Sequence, residues 1–216
     1  MEELGNRFDI TDEGNIDEYL GVKVTRLTDG TILLTQPHLI DSIIADLGFK
    51  ENTKGKSTPA PSTASLNRDR EGMLHDESWE FRSVIGKLNS LEKSTRPDIT
   101  FAVRQCARYS SDPKQSHSAA VRYIARYQMM TRDMRLILRP TGHSFVCYVD
   151  ADFQGGWDAK IATEDSTTAK SRSAYIISCM VDARSSGHQR CRQILHCQRL
   201  RASTPPFQKQ LEKFCG

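Results

Sequence analysis

Two aspartates follow a short apolar run in the C-terminal half of the sequence. Residues 145–149 combine valines, aromatic residues and a cysteine, which is typical of a buried strand. Asp150 and Asp152 end this run, and Gly155 and Gly156 follow them. A carboxylate at the end of a buried strand can hold a divalent metal ion against a phosphate. Aspartate is also common where a turn begins, and the spacing alone favours that simpler interpretation.

The composition limits the class of protein. The chain has 216 residues, 38% apolar and 26% charged, which suits one or two polar globular domains. The sequence contains neither a membrane-spanning apolar run nor a signal peptide, so we expect an intracellular protein of the cytoplasm or nucleus, without a membrane partner. A net charge of +3 is too small to imply nucleic-acid binding by itself. Six scattered cysteines indicate a reducing compartment.

The N-terminal third predicts a hairpin, a helix and a connector. Residues 19–27 and 31–35 have the composition of paired strands, with Asp29 and Gly30 in the turn. Pro37 predicts the start of a helix that ends at Gly48. Between residues 50 and 75 Ser, Thr and Pro predominate, which indicates an extended connector.

Three helical patterns follow this connector. The first has Asp76 as its predicted N-cap, the second starts at Pro97, and the third starts after Asp112 and Pro113. Their predicted buried positions are Phe81, Val84, Ile85, Leu88, Leu91, Ile99, Ala102, Val103, Cys106, Ala120, Val121 and Ile124.

Basic residues occupy the predicted outer faces of the last two helices. These are Arg104, Arg108, Lys114, Arg122 and Arg126. Such residues form an ordinary solvated face in most helices. The alternative is a stripe that follows a phosphate backbone.

After Thr131 the pattern changes from helical to extended. Residues 134–139, 145–149 and 174–179 predict two or three antiparallel strands that open a small domain containing Asp150. From residue 181 to 216 neither strand alternation nor a helical stripe continues, and Cys, Arg, Gln and Ser predominate. We therefore expect the tail not to continue this domain.

Several separate stretches resemble the C-terminal part of the Pol polyprotein of copia-type retrotransposons. The sequences RFDITDEG at 7–14 and YLGV at 19–22 resemble the last palm segment of its reverse transcriptase. Four further stretches resemble the thumb and connection region: FRSVIGKL at 81–88, STRPDI at 94–99, FAV at 101–103 and CARYSSDP at 106–113 with His117. YVDADF at 148–153 and SRSAY at 171–175 resemble the start of the ribonuclease H domain.

This resemblance implies an α+β chain in five parts. They are the end of the palm at 1–49, a Ser/Thr/Pro-rich linker at 50–76, thumb and connection helices at 77–131, an incomplete ribonuclease H-like sheet at 132–180, and a tail expected to be disordered at 181–216. Asp150 takes the place of the first catalytic aspartate of a ribonuclease H, which holds Mg²⁺ with about four carboxylates. The implied partner is an RNA–DNA or DNA duplex, with Arg104, Lys114, Arg122 and Arg126 as contacts. No oligomeric state follows.

Two parts of the family's chemistry are missing from the sequence. The polymerase needs a pair of adjacent aspartates, and no Asp-Asp occurs in the chain. The later acids of the ribonuclease H do not follow Met180 either. However, codons permitted for Met180 and the residues after it, started two nucleotides later, can read GGCPVVWASKMQTDIALSTAESEYTAF, which is the continuation expected for the family. We infer a frameshift near Met180.

The frameshift interpretation predicts an inactive remnant. Asp150 is then a vestige, and we expect no stably bound Mg²⁺. A sheet cut after two or three strands leaves an open edge, so we expect residues 132–180 to be poorly stable alone. The alternative function is a residual module that binds an RNA–DNA duplex through the helices of 77–131. The tail also contains four possible zinc ligands, which the frameshift interpretation explains as chance products of out-of-frame translation: His188, Cys191, His196 and Cys197.

Overall fold

The computed structural model describes residues 14–50, 52–61, 66–76, 78–152, 172–185 and 196–198. Within these residues, six strands form one antiparallel sheet in sequential order: β1 (Glu18–Tyr19), β2 (Val22–Arg26), β3 (Ile32–Thr35), β4 (Leu136–Asp152), β5 (Arg172–Ser185) and β6 (His196–Gln198). Between β3 and β4 lie α1 (Pro37–Asp46), α2 (Phe81–Ser94), α3 (Thr100–Ala107) and α4 (Gln115–Met130), with a 3₁₀ helix, Pro97–Ile99, before α3. This mixture of helix and antiparallel sheet is consistent with the predicted α+β class.

The predicted hairpin is confirmed in β2 and β3. Gly30 adopts a φ of +80° in its turn, and the backbone N–H of Thr31 donates to Asp29 Oδ1 at 3.0 Å. The single strand predicted for residues 19–27 is wrong. A tight turn with Leu20 at φ +50° and Gly21 at φ +74° divides it, so that β1 folds back on β2.

Helix α1 has the predicted start and end. Pro37 occupies its first turn, where the missing N–H costs nothing. Gly48 follows the helix at φ +64°, and its N–H donates to the carbonyl of Ala45 at 3.0 Å.

The predicted start of α2 is displaced, whereas α4 starts where predicted. Asp76 does not cap α2, which begins at Phe81; instead the Asp76 carboxylate accepts a hydrogen bond from the Ser78 hydroxyl at 2.7 Å. That bond holds the pKa of Asp76 below its usual value. Helix α4 begins at Gln115, after Asp112 and Pro113 as predicted, with Lys114 at the N-cap position. Asp76 and α2 are separated by irregular residues, which a local sequence pattern does not predict.

One hydrophobic core joins all four helices. Every apolar position predicted for α2 and the Pro97 helix is buried, as are Val121 and Ile124 of α4, while Ala120 packs against this core half-buried. Ile40, Ile43 and Leu47 from α1 and its end lie in the same core. The predicted boundary between the palm segment at 1–49 and the helices at 77–131 therefore divides residues that pack together; the assignment of each part to a reverse-transcriptase subdomain stays a prediction.

Strands β4 and β5 are longer than the strands predicted for these residues. Asp150 lies within β4, opposite Ala174 of β5, and Asp152 is the last residue of β4. Strand β5 continues to Ser185, past the predicted boundary at residue 180, and residues 196–198 of the tail form β6. Gly155, Gly156, His188 and Cys191 lie outside the described residues.

Candidate functional site

A buried arginine organises the end of the helical unit. The Arg96 side chain is 2% exposed and forms a two-pronged ion pair with Asp98, with Nε–Oδ1 and Nη2–Oδ2 distances of 3.0 and 2.8 Å. Its Nη1 also donates to Gln128 Oε1 at 2.5 Å and to the carbonyl of Thr131 at 2.9 Å. A rigid guanidinium can satisfy several acceptors at once. Arg96 thus joins the start of the Pro97 helix to the end of α4.

Tyr127 completes this buried network. Its hydroxyl donates to Asp98 Oδ2 at 2.7 Å, and its ring lies 5.5 Å from the Arg96 guanidinium. Burial and the adjacent Asp98 carboxylate raise the pKa of Tyr127 to about 12. The phenol therefore stays protonated and acts as a hydrogen-bond donor. The contacts explain the Arg-Pro-Asp motif as a folding element.

A second polar cluster fixes the connector to α4. The imidazole of His117 is fully buried and stacks on Tyr109, with ring centroids 4.2 Å apart. Its Nδ1 accepts the Lys114 N–H at 3.0 Å, so the proton lies on Nε2, which is 2.8 Å from the carbonyl of Asn67. The Tyr109 hydroxyl donates to the carbonyl of Leu66 at 2.7 Å. The described parts of the predicted connector, residues 52–61 and 66–76, are irregular, and buried side chains hold residues 66 and 67.

His75 anchors the other end of this connector. Its Nε2 lies 2.7 Å from the carbonyl of Trp79 and its Nδ1 lies 2.7 Å from the Ser118 hydroxyl. The ring also meets Trp79 edge-on at 4.6 Å. His75 and His117 thus both form tertiary hydrogen bonds, which the sequence pattern does not predict.

Two of the four predicted nucleic-acid contacts form ion pairs. Arg104 Nη2 lies 3.3 Å from Oε1 of Glu92, whose side chain is 2% exposed. Lys114 is buried, not on an outer helix face as predicted, and its Nζ lies 3.2 Å from Asp112 Oδ1. Partial neutralisation by a neighbouring acid weakens each as a phosphate contact.

The other two, Arg122 and Arg126, lie one turn apart on α4 and face the segment after α1. Arg122 Nη1 donates to the carbonyl of Leu47 at 3.1 Å, and its guanidinium lies 4.6 Å from the centre of the Phe49 ring. Arg126 Nε donates to the carbonyl of Lys54 at 2.6 Å. The structure brings this pair together, and Arg104 and Lys114 make their contacts elsewhere.

Two cavities meet at Arg122. One, of about 530 Å³, is lined by Asp46, Asp76 and Trp79 among others. The second, of about 480 Å³, is lined by both arginines and by Lys50. Sequence reasoning missed Lys50, because a single lysine in a polar connector gives no local signal of proximity to α4.

The predicted metal ligand Asp150 is placed only by its backbone, in β4 opposite Ala174. In the part of the chain that the structure describes, no three His, Cys, Asp or Glu residues form a group that could hold a metal ion. No helix of that same part is long and apolar enough to cross a membrane.

The known proteins that this chain resembles include retrovirus-related Pol polyproteins from transposons. The chain is a relative of a segment of retrotransposon Pol polyproteins, as its motifs predicted. It is 27% identical over 164 residues to the Pol polyprotein from transposon RE2 of Arabidopsis thaliana, a match covering 76% of this chain and 11% of that protein. It is 29% identical over 162 residues to the one from transposon TNT 1-94 of Nicotiana tabacum, covering 72% and 12%.

A shorter relative matches over a similar length. The putative transposon Ty5-1 protein of Saccharomyces cerevisiae is 27% identical over 152 residues, covering 69% of this chain and 48% of that protein. The chain therefore spans about a tenth of the two plant polyproteins and about half of the yeast protein. No protein-family model and no solved structure matches it.

Proposed function

We propose that the chain is a remnant of a copia-type reverse transcriptase and ribonuclease H region, and that it carries out neither reaction. In the complete element these activities serve RNA-directed DNA synthesis and removal of the RNA strand during transposition. The observation that carries the proposal is the similarity to transposon Pol polyproteins, combined with the absence of their acids from the sequence. Adjacent aspartates occur nowhere in the 216 residues.

The proposal includes no magnesium-dependent step. By the family resemblance, Asp150 is the one residue of this chain assigned to a ribonuclease H metal site. Two-ion catalysis needs several carboxylates that bridge and position both ions, and a single aspartate does not supply them. An RNA–DNA or DNA duplex is correspondingly the partner of the complete element.

Two activity assays on the purified chain test this proposal. We expect no primer extension on an RNA template, and no cleavage of an RNA–DNA hybrid, when Mg²⁺ is present. The matched control is Asp150→Asn, which removes the one assigned carboxylate while keeping its size. Cleavage by the natural chain that disappears in this variant would contradict the proposal.

A frame-restored chain tests the remnant interpretation separately. Its coding sequence is read two nucleotides later from the codon of Met180, so that the Val- and Trp-rich continuation replaces the tail. We expect the amide protons of β4 to exchange more slowly in this chain, because further strands would pair with the existing sheet. Unchanged exchange would argue against an interrupted domain.

A further inference from the structure

We infer that the 480 Å³ cavity beside α4 is a binding site for a phosphate-bearing anion of nucleotide size. Three cations line it: Lys50, Arg122 and Arg126. No acidic residue is among its described lining residues, whereas the neighbouring cavity at Arg122 contains Asp46 and Asp76. The charged residues among the described lining of this cavity are therefore all basic, although the chain as a whole is nearly balanced.

The connector adds further positive charge near the cavity. Lys54 supplies the carbonyl that holds Arg126, and Lys56 Nζ lies 4.9 Å from the centre of the Tyr123 ring at the cavity wall. In the part of the chain that the structure describes, the basic residues that pair with carboxylates are others than the three that line this cavity. Residues 48–56 contain one acid, Glu51, which lies outside the described residues.

The two arginines are held in place but retain binding capacity. The hydrogen bonds to Leu47 and Lys54 use one donor of each guanidinium, and a guanidinium has five. Contact with Phe49 further orients Arg122. A ligand therefore meets cations whose side chains are already ordered, which lowers the entropic cost of binding.

The remaining lining matches a nucleotide rather than a bare ion. Asn52 and Tyr123 offer polar groups, and a volume of about 480 Å³ lies in the range of small-ligand sites. Arginine and lysine recognise phosphate through charge-assisted hydrogen bonds, and a carboxylate ligand would lack the tetrahedral set of acceptors. The phosphate could come from a free nucleotide or from the end of a nucleic-acid strand, and the experiment separates these sources.

Titration calorimetry of the full chain with AMP, with adenosine and with a single-stranded oligonucleotide tests this inference. We expect AMP to bind and adenosine, which has the base without the phosphate, to bind at least tenfold more weakly. Lys50→Gln and Arg126→Gln should each lower the affinity for AMP about two- to fivefold, the range for one exposed ion pair. Arg126→Lys should recover part of the loss, and affinity should fall as salt rises.

Lys93→Gln is the matched control, because Lys93 lies in the last turn of α2 and does not line the cavity. Thermal unfolding of each variant verifies that it is folded. If AMP and the oligonucleotide both bind, and both depend on Lys50 and Arg126, the site accepts a free nucleotide as well as the end of a strand. If only one of them binds in this way, that one is the source of the phosphate. Equal binding of AMP and adenosine, or an equal loss in Lys93→Gln, would overturn the inference. Neither result bears on the absence of catalysis proposed above.

Discussion

The helical unit of α1–α4 and the β4–β5 pair each contain charged residues in a stretch that resembles the Pol polyprotein. The two sets of residues differ in whether contacts within the fold account for them. In the helical unit, Arg96 and Asp98 are explained by contacts within the chain, since each satisfies the other and several buried groups. In β4, Asp150 is placed by its backbone alone, and its assignment to a ribonuclease H metal site is a proposal that rests on the family resemblance. A charged motif can thus record a requirement of folding or one of catalysis, and spacing alone does not distinguish them.

The largest effect is expected from Arg96→Ala in the helical unit, compared with a surface ion pair. This change leaves the Asp98 carboxylate, 13% exposed, without its charged partner. Breaking a buried pair costs about 3–5 kcal/mol of the free energy of unfolding, which urea denaturation measures. Arg132→Ala is the control, because the Arg132–Asp41 pair is exposed and should cost at most about 1 kcal/mol. Equal losses would remove the distinction between a folding motif and a surface pair.

A core substitution compares the packing of the two regions. Leu88 of α2 is fully buried, so Leu88→Ala should lower the free energy of unfolding by about 2–5 kcal/mol. Leu138 of β4 is half-buried, and Leu138→Ala should cost only roughly 1 kcal/mol. A loss at Leu138 as large as that at Leu88 would show that the sheet is as tightly packed as the helices.

His117→Ala tests whether the connector belongs to the helical unit. The substitution removes the acceptor for the Lys114 N–H and the donor to Asn67, and should cost about 1–3 kcal/mol. We expect amide exchange in residues 66–76 to accelerate. His38 is exposed on α1, so His38→Ala should change stability by less than about 0.5 kcal/mol. Slow exchange that persists in His117→Ala would mean that other contacts hold the connector.

The smallest expected effect is a pH dependence at the surface of α1. The hydrogen bond from Arg132 holds the pKa of Asp41 below its usual value, so this carboxylate is more acidic in the folded chain than in the unfolded one. Its contribution is present above the unfolded pKa and is lost as the pH falls through the folded pKa. Because Asp41 is 46% exposed, we expect less than about 1 kcal/mol. Asp41→Asn should flatten this part of the stability curve between pH 6 and pH 2, measured by urea midpoints.

The sequence predicts the parts of the fold that depend on local spacing. The buried faces of α2 and α4 follow from the 3.6-residue period, and the end of α1 follows from Gly48. The predicted start of α2 is wrong. Aspartate is common at N-cap positions in general, but the Asp76 carboxylate accepts a hydrogen bond from Ser78 instead of capping the helix. The break before β2 was missed, because a leucine rarely adopts the positive φ of Leu20.

The candidate site was less predictable than the fold. The sequence predicts Arg122 and Arg126 on the outer face of a helix, and in the structure both lie on α4 and line the same cavity. The contacts of Lys114 with Asp112, and the place of Lys50 beside α4, depend on how irregular segments are routed. No periodicity describes such segments, so their side chains can be assigned only from tertiary contacts.

The pairing of β3 with β4 has a consequence for the order of folding. Strands β2 and β3 meet through a short turn, but β4 follows β3 only after all four helices have been made. Closing a long loop costs more entropy than closing a short one, and the packed helices shorten the distance that β4 must bridge. During synthesis on a ribosome, α1–α4 can therefore assemble while β3 still has one unpaired side. That side stays available for misplaced pairing with another chain until Leu136–Leu138 have emerged.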